Sequence, residues 1–93
     1  MVITNDMIFD ELVDMEYLTA TEAIAIKWWY GHLKGFDKQL MDIIEVADKD
    51  NLFRLKQGFP LMVDAVERVR EESLYLEECK RLAKKHNLTN PDY

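Results

Sequence analysis

Gly31, Gly35 and Gly58 are the only glycines, and Pro60 and Pro91 the only prolines, in a chain of 93 residues. A sandwich or barrel of short strands needs far more turn formers than these five. The chain is also 48% hydrophobic, too apolar to remain disordered. A compact all-α fold is what remains. Its length fits one helical domain spanning residues 1–93, with a modest core. So much apolar and aromatic material on a small helical chain predicts burial against copies of itself, in a homo-oligomer.

Helical spacing organises the chain. Ile8, Leu12 and Met15 share a stripe that predicts a short N-terminal helix, with Asn5 or Asp6 as its N-cap. Thr19-Ala20-Thr21-Glu22 matches the capping box, so a second helix is expected from about residue 20. It runs through Ile26, Trp28, Tyr30 and Leu33, with Gly35 as its terminator. Phe36, Leu40, Ile43, Ile44 and Ala47 predict a third helix. Asp48-Lys49-Asp50-Asn51 turns the chain into a short helix through Leu52, Phe53 and Leu55, closed by Gly58. Pro60 at a first helical position then opens a long C-terminal helix, with a break expected near Glu72-Ser73 if anywhere.

Charge and motifs exclude several functions. All six acids of residues 1–26 stand without a Lys or Arg, so the net charge of -6 is entirely N-terminal and the rest is neutral. Long nucleic acid is therefore not an expected ligand, because its binding relies on a basic surface. The acidic arm serves solubility, or pairs with bases on a neighbouring subunit. No 18-residue apolar run and no basic signal start are present, which predicts a cytosolic chain without a membrane partner. Cys79 is the only cysteine, so no intramolecular disulfide forms. His32 and His86 begin no zinc pattern, and no glycine-rich phosphate loop occurs. We expect no enzyme activity, no cofactor and no metal.

The densest recognition chemistry lies in Lys27-Trp28-Trp29-Tyr30-Gly31-His32-Leu33-Lys34-Gly35. Its rings either fill a core or subunit seam, or meet a ligand with the lysines beside them. Both readings hold if the ligand lies at a seam. Arg68 and Arg70 stand about 200° apart around a helix, so one can meet a ligand while the other pairs with Glu67 or Glu71.

The capping Thr19-x-x-Glu22, the aromatic run ending Tyr30-Gly31-His32, the Ala47–Leu52 turn and Gly58-Phe59-Pro60 opening a long helix together resemble small phage-encoded helical proteins across residues 17–70. Among these the chain most resembles the anti-CBASS cyclic-oligonucleotide sponges. That resemblance implies a homohexamer in the cytoplasm of an infected bacterial host. It also implies sequestration of cyclic di- and trinucleotides without cleavage. In such proteins a tyrosine and a lysine of neighbouring subunits hold dinucleotides, and an arginine of the long helix lines a trinucleotide pocket. By residue type, Tyr17, Tyr30, Lys27 and Lys34 are candidates for the first role, and Arg68 or Arg70 for the second. Trp28 and His32 complete the ligand-binding set. The competing expectation is a small acidic phage inhibitor that acts by direct contact with a host or defence protein.

Overall fold

The computed structural model describes residues 5–90, with side chains from Ile8 onward. Six helices follow one another with short connections: α1 (Asn5–Asp14), α2 (Ala20–Trp29), α3 (Gly35–Val46), α4 (Lys49–Gly58), α5 (Pro60–Glu71) and α6 (Ser73–Lys85). The all-α expectation holds, and among the described residues no strand occurs. None of these helices is long and apolar enough to cross a membrane. The N-cap expected at Asn5 or Asp6 lies outside the described side chains.

The capping box forms as the sequence predicts. The Glu22 amide donates to Thr19 Oγ1 at 3.0 Å, and the Thr19 amide donates to Glu22 Oε1 at 2.9 Å. Thr19→Ala is expected to cost about 1 kcal/mol of folding free energy, read as a lower urea midpoint with an unchanged slope. Asp48 likewise caps α4 by accepting from the Asn51 amide at 2.8 Å. The predicted turn is thus the cap and first turn of a helix. Pro60 opens α5, where its missing N–H is no loss.

One boundary differs from expectation, and one optional break is realised. Gly31, and not Gly35, terminates the aromatic helix. At φ 76° it sits in the left-handed region, where the Gly31 and His32 amides return to the Trp28 and Lys27 carbonyls at 3.3 and 2.8 Å. Gly35 instead begins α3. The long C-terminal helix is not continuous, and it breaks where the sequence allows a break, near Glu72-Ser73: Glu72 adopts φ -117° and ψ 94°, separating α5 from α6. The bend lets α6 fold against both α2 and α5, burying Cys79, Leu82 and Ala83. A straight continuation would carry those residues away from the globule.

α2 and α5 form the central pair, with the other helices laid around them. The small residues Ala23, Ala25 and Ala65 are buried in these two helices, where they let neighbouring elements approach closely. The core has two lobes. One gathers Phe9, Leu18, Ile26, Leu82 and Leu88, and the other Leu40, Met41, Ile44, Val63 and Val66. Ile24 packs against both. On α1 the buried residue is Phe9, while Met15 of the expected stripe is 54% exposed.

Cys79 lies in the first lobe at 2% exposure. Burial, and secondarily the Glu22 charge, push its thiol up from 9.0 to about 11. Its neighbour Tyr75 is also raised, chiefly by burial, and the Tyr75 hydroxyl lacks a geometrically sound hydrogen bond. Because the unfolded chain loses the Cys79 proton from about pH 9 and the folded chain only near 11, stability is intact below that window and falls as pH rises through it. We expect Cys79 to resist an aromatic disulfide reagent at neutral pH and to react fully on unfolding. Fast reaction of the native protein would contradict this burial.

Candidate ligand groove

The structure disperses the residues that the sequence singles out. Trp28 is half-buried against the second lobe, and Tyr30 caps α2 while packing on the first. Lys27 places Nζ 5.1 Å from the Phe9 ring centroid and shares a cleft with Asp10 and Asp14. Two carboxylates there oppose an anionic ligand. His32 and Phe9 make a T-shaped ring contact with centroids 5.3 Å apart, and the His32 Nε2–H donates to the Leu88 carbonyl at 2.5 Å. Lys27 and His32 therefore converge on Phe9, where they hold α1, the α2–α3 connection and the C-terminal end together.

The remaining candidates lie elsewhere. Tyr17 is exposed and tilts against His86 at 5.7 Å. Lys34 is exposed beside the N-terminus of α3 and makes no side-chain cap. Arg68 pairs with Asp64 at 3.0 Å and Glu72 at 3.6 Å, so neither Glu67 nor Glu71 is its partner. The Asp64 hydrogen bond and charge raise its guanidinium above the ordinary value. Each of these side chains already has a structural neighbour or no companion site residue.

Arg70 is the exception. Lys49, Leu52, Phe53 and Lys56 recur at i, i+3, i+4 and i+7 on α4, so they share one face. Glu67, Arg70 and Glu71 share a face of α5 by the same rule, and the two faces enclose a groove of about 360 Å³. Leu52 packs down into the second lobe, while Phe53 stands 68% exposed. Lys56 approaches Glu67 at 3.6 Å. Lys49 and Arg70 have no ion-pair partner among the described residues. Three bases against two acids make this lining net positive on a chain of net charge -6.

An exposed ring between cations can stack a nucleobase, and a guanidinium fork can hold a phosphate. The sequence reading missed Phe53 and Lys49 because it read Leu52, Phe53 and Leu55 only as the body of a short helix and drew no site from them. The signal was present in the four-residue step from Lys49 to Phe53 and in Lys56 one turn on.

A second groove, larger at about 540 Å³, runs between α3 and α4. Ile43, Val46, Ala47, Leu55 and Phe59 make its apolar surface, with Asp48 and Arg54 as its charged groups. Among the described residues, no cluster of three His, Cys, Asp or Glu is placed to hold a metal ion. Comparison with family models, with characterised proteins and with solved structures finds no match to this chain.

Proposed function

We propose that this chain is a binding protein that sequesters cyclic oligonucleotides and leaves them chemically unchanged, as its resemblance to the phage anti-CBASS sponges implies. The observation that carries the reading is Phe53, solvent-exposed between Lys49, Lys56 and Arg70. Stacking supplies affinity for a base, and the unpaired Lys49 and Arg70 supply charge for its phosphate. A groove of about 360 Å³ is near the lower end of the ~300–1,000 Å³ of ligand pockets. It has room for about one nucleotide unit, so the rest of a cyclic ligand reaches a neighbouring subunit. A homo-oligomer, and the hexamer that the resemblance implies, belongs to this proposal, as do a phage origin and action in the host cytoplasm.

Isothermal titration of the purified chain with cyclic di- and trinucleotides tests it. Uptake at a fixed ratio, weakening as salt rises, with intact nucleotide recovered afterwards, is the expected result. No heat from any nucleotide would leave the second reading, inhibition of a host or defence protein by direct contact. The exposed apolar surface of α3 with Phe59 favours that alternative.

A further inference from the structure

We propose that the α3–α4 groove is an isologous interface, closed by the same groove of a second copy of this chain. This deepens the oligomer part of the function proposed above and is independent of the nucleotide. The surface is apolar and continuous: Val46 is 81% and Phe36 66% exposed, Ile43 is exposed beside them, and the Phe36 and Phe59 rings lie 6.2 Å apart. With Phe59 these side chains present on the order of 400 Å² of apolar surface, about half of the ~800 Å² that each partner loses in a standard interface. Ala47, Leu55 and the polar Asp48, Asn51 and Arg54 line the same groove and extend that surface.

Charge selects the occupant. Arg54 and Asp48 line the same groove, and Arg54 has no ion-pair partner among the described residues. A two-fold axis across the groove brings Arg54 of each copy toward the partner's Asp48, so one rotation satisfies both pairs. The groove carries one charge of each sign, which a second copy matches by symmetry. Gly58 contributes to closeness of approach: a Cβ added there meets nothing within 4 Å inside the chain, so its side of the groove is open.

Sedimentation velocity of the full chain without nucleotide, over a wide concentration range, is the test. The wild type is expected to shift from monomer toward dimer or higher mass as concentration rises. Gly58→Gln fills the groove while raising helix propensity, and Val46→Glu changes a side chain that is already exposed. Both are expected to keep native circular dichroism and melting, and to weaken association at least tenfold. Asp48→Asn, which retains the α4 cap, and Arg54→Gln should each weaken it, and their combination should cost less than the two losses added. A wild type that stays monomeric, or variants that associate as the wild type does, would overturn the interface. Because no nucleotide is present, that failure removes the oligomer part of the function proposed above and leaves base stacking on Phe53 to be tested by titration. Association without nucleotide uptake, conversely, supports the interface and sinks the sequestration reading alone.

Discussion

Phe9→Ala is expected to lower the unfolding free energy by about 3–5 kcal/mol, the range for emptying a buried phenylalanine site. Phe9 is fully buried and is the large side chain that fixes α1 onto the first lobe. The Lys27 ammonium and the His32 imidazole, in a T-shaped contact, both lie against its ring. His32 in turn holds the Leu88 carbonyl, and Leu88 is buried where the chain leaves α6. Removing one ring therefore loosens three separated segments. Domains of this size are stable by only ~5–15 kcal/mol, so the variant should melt far below the wild type and unfold at much lower urea. A loss below about 1 kcal/mol would mean that α1 is not part of the cooperative unit.

The second large effect concerns binding. Phe53→Ala removes the stacking ring, expected to cost about 1–3 kcal/mol per base, or roughly 5- to 150-fold in affinity. Arg70→Ala removes a charge-assisted hydrogen bond of about 1.5–3 kcal/mol. Both side chains are exposed, so neither change should shift the melting temperature appreciably. The double variant should lose binding by two to three orders of magnitude or more, on the order of the two effects combined. Glu71→Gln should act oppositely, because it removes one of the two acids in the lining. Titration calorimetry of the wild type and these four variants against one cyclic dinucleotide checks this. Unchanged affinity in the Phe53 and Arg70 variants would place any nucleotide elsewhere.

Local chemistry was the legible part of this chain. The Thr19–Glu22 box, Pro60 at the start of α5 and the apolar repeat of α3 each specify their own few residues, and the structure follows them. Choices between equivalent local signals were not legible. Gly31 and Gly35 are both left-handed, at φ 76° and 61°, and only packing of Leu33 and Trp28 against the second lobe decides which one ends the helix. The break near Glu72-Ser73 was legible only as an option: it carries no proline or glycine, and packing of α6 against α2 and α5 goes with it.

The same limit applies to the site. Lys27, Tyr30 and His32 have the right residue types for recognition, yet the fold uses them around Phe9 and the first lobe. Arg68 and Arg70 were separable by angle alone, but which of them is held by acids depended on Asp64 and Glu72, four residues away on either side. Phe53 was legible only as part of a short helix, and its periodicity alone does not say whether the ring is buried or exposed. Its exposure comes from α4 meeting α5 through Leu52 and Leu55, the two half-buried residues of that helix, so the Phe53 side faces out.

The most direct measurement is native mass spectrometry of the purified chain with a panel of cyclic di- and trinucleotides, the Phe53→Ala/Arg70→Ala protein alongside. The expected result is discrete ligand-bound peaks on an intact oligomer, nucleotide of unaltered mass on denaturation, and loss of those peaks in the variant. Spectra in which the wild type ignores every nucleotide, or in which wild type and variant bind alike, would contradict sequestration at this groove.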